Sequence, residues 1–259
     1  MMHDVEVLFK DKGIAFDSEG NRIRCFPHIV NIAVQTGLKH LTNVDALTKP
    51  GEDITDVLLK NLNYLDVLRS DVISSACQLV TMCHASGQHH EDLSNIINEG
   101  YIMGDQTKDE LRDVTLLHDV VTQWSSIYLM IYRLLELYPA CSFRFVISRL
   151  LNEDKYKDLQ KHKLNNLELQ VLADIWHYLA FFHIVQEEVS TQKTPTLSIV
   201  LPLYEKLIHH LKEAKEKLPC IAHAIKESIV KLQEYLAASQ KTRIYALAIG
   251  ECIDIKLGT

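Results

Sequence analysis

Apolar positions along this chain recur mainly at helical spacing. The cleanest stripe is Trp124, Ile127, Tyr128, Ile131, Leu134, Leu135 and Tyr138, which keeps one face over four turns and stops before Pro139. Ile54, Val57, Leu58, Leu62, Leu65 and Leu68 predict another helix, and Val72, Ile73, Ala76, Leu79, Val80 and Cys83 a third that ends near Ser86-Gly87. Further stripes run over about 165–190 (Leu172, Ile175, Trp176, Leu179, Phe182), where Thr194-Pro195 breaks the pattern, then over Leu203–Leu218 and Ile221–Leu236. Residues 98–123 are polar and acidic, and predict mostly loop with a short helix after Thr107.

The first forty residues read differently. Residues 5–26 alternate weakly around a turn signal at Asp17-Ser18-Glu19-Gly20-Asn21. The period of two at Ile23 and Cys25 predicts a short strand over 22–26. Pro27 suits the first turn of a helix, and apolar residues then lie nearly all round from Ile29 to Leu41. A helix apolar on most sides is a buried one.

Composition agrees with long helices. The 259 residues include only 9 Gly and 6 Pro, about half the usual share of such turn-formers. A formal net charge of −7 excludes a protein that coats nucleic acid by bulk charge. That charge is uneven. Residues 91–119 carry eight acids against two bases, and 203–243 carry eight bases against five acids. Contact with a polyanion must therefore be local. The six cysteines form no Cys-x-x-Cys pair, no signal-peptide core opens the chain, and no apolar run is long enough to span a bilayer. These features predict a soluble, intracellular protein with reduced thiols.

Candidate chemistry is sparse. Thirteen His raise the question of a metal, and Cys25-x-x-His28 has ligand-like spacing, with Cys83, His84, His89 and His90 clustered further on. Zinc needs four convergent ligands, usually from two spaced pairs, and the second pair is missing. The expected role of these residues is a buried structural Cys/His plus exposed surface His, with His209, His210 and His223 as solvated helix positions. There is no Gly-x-Ser-x-Gly, no phosphate-cradling Gly loop, and no acid at the end of the one predicted strand. No complete active site assembles from this sequence. Trp124 has two readings: a core anchor at a helix start, or a stacking platform for an unpaired base.

The motifs also form an ordered series. Arg22-Ile23-Arg24-Cys25-Phe26-Pro27-His28-Ile29-Val30-Asn31 resembles the Cys-x-x-His segment of hAT-superfamily DNA transposases. Ser86-Gly87-Gln88, Leu111-Arg112-Asp113-Val114 and Asp119-Val120-Val121-Thr122-Gln123-Trp124 resemble the Asp-Val to Thr-Arg-Trp stretch of that family's helical insertion. Thr194-Pro195-Thr196-Leu197-Ser198, Leu201-Pro202-Leu203-Tyr204-Glu205 and Ile244-Tyr245-Ala246-Leu247-Ala248 continue the likeness in order, closest to fungal members.

The resemblance implies a mainly α chain. Residues 1–45 would be a remnant, strand plus buried helix, of a ribonuclease-H-like α/β core, and 46–259 an all-α insertion domain. It implies ancestral DNA transposition in the nucleus, transposon-end DNA as partner, a homo-oligomer in the intact protein, and no membrane. The family's Asp-Asp-Glu set holds Mg²⁺, but none of Asp4, Asp11 or Asp17 sits in a matching motif. The chain is therefore expected to be a catalytically inactive fragment with neither a catalytic residue nor a metal or cofactor of its own. Trp124 carries over as a DNA-stacking residue, and Cys25 and His28 as a structural motif. Gln123 replaces the family's Arg beside Trp124 and so removes a phosphate contact. The alternative expectation is an α-helical protein-interaction module without DNA activity, which the acidic segment before Trp124 favours by repelling phosphate.

Overall fold

In the computed structural model, residues 2–13, 25–45, 61–85, 87–103, 116–117, 124–137, 146–151, 156–190 and 197–241 are described. The protein is mainly helical, and no strand occurs among the described residues. The elements are α1 (Met2–Asp11), α2 (Phe26–His40), α3 (Leu62–Arg69), α4 (Val72–His84), α5 (Gly87–Met103) and α6 (Trp124–Leu137). They are followed by α7 (Val146–Leu151), α8 (Lys157–Gln160), α9 (Asn166–Ser190), α10 (Leu197–Lys217), a 3-10 turn (Pro219–Ile221) and α11 (Ala222–Gln240).

The strand expected over 22–26 is corrected where it can be seen. Residues 22–24 lie outside the described residues, but Phe26 is already helical, and the amide of Ile29 donates to the carbonyl of Cys25 at 3.1 Å. Pro27 needs no donor in a first turn, and Phe26 is drawn inward, so the helix starts before the apolar run does. The weak alternation of the first residues likewise gives way to α1, which ends at Asp11 and is followed by a turn in which Gly13 has φ +68°. The expected helix over 54–68 is seen from Leu62 onward, its earlier part lying outside the described residues.

Residues 98–103 continue α5 instead of forming loop. Leu93, Ile96 and Ile97 bury one face, a shorter stripe than the surrounding polarity suggested, and it carries the helix through Gly100. Helix α10 likewise begins at Leu197, with Pro202 inside it. Burial of Val200, Leu203 and Tyr204 outweighs the backbone bond that the proline forfeits. Helix α9 starts at a capping box legible as Asn-x-x-Glu. The Asn165 side chain accepts from the amides of Leu167 (2.9 Å) and Glu168 (3.0 Å), and the Glu168 carboxylate accepts from the amide of Asn165 at 2.7 Å.

The chain divides into two compact units. One comprises residues 1–38, 181–217 and 224–259, the other residues 39–180 and 218–223. The sequence boundary expected at 45/46 does not coincide with this division, which gathers separated stretches of chain.

In the first unit α2 is the buried element, with Ile29, Val30, Ala33 and Val34 at 1 % exposure or less. Phe26 meets Tyr204 of α10 edge to face at 4.8 Å, and the hydroxyl of buried Ser228 on α11 donates to the Ala33 carbonyl at 2.7 Å. In the second unit α4 packs against α3, α5, α6 and α8. Its residues Val72, Ala76, Leu79, Val80 and Cys83 are buried, and the Cys77 thiol approaches the Met130 thioether of α6 at 3.5 Å.

The turn between α3 and α4 is only Ser70-Asp71. Asp71 adopts the left-handed conformation (φ 54°, ψ 68°), and its side chain accepts from the Ser74 amide at 3.2 Å, so one residue makes both the turn and the cap. Asp71→Ala should cost about 1–3 kcal/mol in urea denaturation, since it loses the cap and places a plain side chain at positive φ. Asp71→Asn and Asp71→Gly should each stay within about 0.5 kcal/mol of the parent, because both tolerate that backbone.

Candidate functional site

The residues singled out from the sequence do not converge. Cys25 precedes α2 and His28 lies in its first turn, and both are exposed, so neither is the buried structural residue expected. Trp124 is the first residue of α6 and is 3 % exposed. As folded, its ring is a core anchor and offers no face to a base. Gln123, with Leu111–Val114, Asp119–Thr122 and Ile244–Ala248, lies outside the described residues.

The histidine cluster proves to be structural wiring. His84 Nε2–H donates to the Leu116 carbonyl at 2.8 Å, and His89 Nδ1–H donates to the Met82 carbonyl at 2.9 Å. A carbonyl can only accept, so each bond sets the tautomer of its ring. The His89 ring also meets Tyr156 edge to face at 4.8 Å, and the Tyr156 hydroxyl donates to Asp92. These contacts tie α4, α5 and the segment at Leu116 together. Among the described residues no group of three or more His, Cys, Asp or Glu is placed to hold a metal ion. His223 is also corrected. It is 7 % exposed, not solvated, and its Nε2–H donates to the Leu41 carbonyl at 3.2 Å.

A second polar node lies where the 3-10 turn joins the larger body of its unit. The Tyr64 hydroxyl donates to the Asp174 carboxylate of α9 at 2.7 Å. Burial first, and then the bond to Asp174 and its charge, hold the Tyr64 phenol far above the usual tyrosine range. Burial, and then Asp174, also raise the Cys220 thiol, and burial alone pushes Cys83 up to about 11. A raised thiol pKa is the opposite of nucleophile activation. Cys25, Cys77, Cys83 and Cys220 form no disulfide among the described residues.

The arrangement with most chemical potential lies on α6 and α9, and sequence reasoning missed it. Trp176 stacks on Tyr128 (5.8 Å between centroids, planes 11° apart) and on Tyr132 (5.9 Å, 25°). The Arg133 guanidinium lies 5.5 Å from the Tyr132 ring centre and is held by Glu136 at 2.6 Å. His177 tilts against Trp176 at 5.0 Å. Tyr132 and Leu129 are about 40 % exposed on the same helix, and Trp176 is half-buried. The indole Nε1 is buried without a hydrogen-bond partner, so ring contact alone positions Trp176. The available signal was Tyr128 and Tyr132 four residues apart, which places both on one helix face. The apolar stripe takes in Tyr128 and leaves out Tyr132, so the pair is not seen together in it.

No protein-family model, curated protein or solved structure matches this chain. No helix among the described residues is long and apolar enough to cross a membrane.

Two measurements check these geometries. The folded state holds the Tyr64 proton more tightly than the unfolded chain does, so its stabilisation is complete below about pH 10 and declines as pH rises further. Tyr64→Phe should therefore cost about 1–2 kcal/mol at neutral pH and show a shallower alkaline loss of stability in urea titrations. A Tyr64→Phe curve parallel to the parent above pH 10 would contradict this. Brief native alkylation followed by peptide mass spectrometry should label Cys25 well before Cys83 and Cys220.

Proposed function

We propose that this chain is part of a hAT-like transposase, a nuclear and catalytically inactive piece that holds DNA and does not cut it. The observation that carries this is the ordered motif series from Arg22 to Ala248. The placement of Cys25 and His28 at the entry of a deeply buried helix supports it, because the family's Cys-x-x-His segment is followed by such a helix. The helical body that follows suits an insertion domain, while the ribonuclease-H-like remnant before it belongs to the proposal only. The family's Mg²⁺ would require its Asp-Asp-Glu carboxylates, and Asp4 and Asp11 are exposed positions on α1 outside any matching motif.

A second reading has its own support. The burial of Trp124 and the acidic stretch over 91–119 favour an α-helical protein-interaction module without DNA activity.

A gel shift with hairpin and single-stranded DNA separates the two. The transposase reading expects binding that weakens steeply with salt, and no nicking of transposon-end DNA when Mg²⁺ is supplied. Absence of binding at low salt would reject the DNA-holding reading and support the interaction module instead. Trp124→Ala adds a local test. Loss of binding with a retained helical spectrum and thermal midpoint would show that Trp124 leaves the core to stack on DNA.

A further inference from the structure

We infer that the stacked rings of Tyr128, Tyr132 and Trp176 form a platform for an unpaired base of single-stranded DNA. The inference rests on the nucleic-acid reading above and moves its point of contact away from Trp124.

The first argument is the availability of ring surface. The chain has two tryptophans, and Trp124 is 3 % exposed, so its face is spent within the core. Trp176 is half-buried, and Tyr132 beside it is 40 % exposed. The rings are also close to parallel, at 11° and 25°, where the aromatic pair in the core of the other unit, Phe26 and Tyr204, meets at 81°. A near-parallel array continues naturally into one more flat ring, because offset stacking repeats in a way that edge-to-face contact does not. A base supplies such a ring whatever its identity.

The second argument is charge. The chain is acidic overall, and residues 91–119 are strongly so, yet among the described residues the ionisable groups recorded against the platform are Arg133, His177 and Glu136. The carboxylate of Glu136 is engaged by Arg133 at 2.6 Å and is only 16 % exposed. The Arg133–Glu136 pair therefore leaves no net negative charge of its own beside the rings. Arg133 over Tyr132 sets a guanidinium at the edge of the stack, where the phosphate beside a stacked base would lie. A single cation cannot grip duplex backbone, so the surface suits an exposed base with one neighbouring phosphate and not a double helix.

The test uses the full chain with an oligothymidylate of about 16 nucleotides at low salt, read by tryptophan fluorescence and by anisotropy of a labelled strand. Binding should quench the emission of Trp124→Phe, whose signal comes from Trp176, and leave that of Trp176→Phe unchanged. Trp176→Ala and Tyr132→Ala should each weaken binding roughly tenfold, and the duplex form should bind more weakly than the single strand. The conservative Trp176→Phe should retain most of the affinity, which separates stacking from a folding defect together with the thermal midpoint of each variant.

Tight binding that neither alanine variant weakens would overturn the platform and leave the nucleic-acid reading standing. Failure of the unmodified chain to bind any DNA would overturn both. Dissociation of a dimer by Tyr132→Ala in sedimentation, with DNA affinity unchanged, would assign the face to a second copy of the chain and reject the inference.

Discussion

The burial of α4 on most of its sides is the contact from which the larger unit is built. Helices α3, α5, α6 and α8 all pack against it, and Ala76 and Leu79 are fully excluded from solvent. A small residue at 76 lets a neighbour approach closely, and Leu79 fills the remaining volume. Everything placed around α4 inherits its position from this packing. The stacked rings on α6 are among them, because the Cys77 to Met130 contact sets one face of α6 against α4 and turns Tyr132 outward.

Polar groups refine what apolar burial assembles. His84, His89 and His223 each satisfy a main-chain carbonyl, and Tyr64 satisfies Asp174, so four side chains with catalytic reputations serve as structural links. Buried or half-buried polar groups must find partners, and carbonyls left over at helix ends and turns are the nearest ones. Three of the thirteen histidines thus serve as structural links. The same economy appears at Asp71, where one side chain makes a tight turn possible and caps the helix that follows.

Function rests on a different level of evidence. The ordered motifs carry the proposed transposase reading, whereas the tertiary structure addresses only which residues present usable surface. Those two lines meet at the tryptophans. The motif draws attention to Trp124, and packing hides it, while Trp176 lies outside every motif and keeps part of its ring exposed. The stack at Trp176 joins residues 128 and 132 to residue 176, a separation across which no local pattern can report.

Helical character, the buried nature of α2, the stripe of α6 and the start of α9 were legible in the amino-acid sequence. Each depends on a periodicity or cap within a few residues, and local spacing records such features directly. The sequence also excluded familiar catalytic and phosphate-binding motifs by their absence. Only the tertiary structure decided that Phe26 joins a helix, that α5 runs to Met103, that Pro202 is tolerated within α10, and that the compact units combine distant stretches of chain. It alone separated the buried tryptophan from the half-buried one. Burial is a property of the neighbours a side chain acquires, and those neighbours come from elsewhere in the chain.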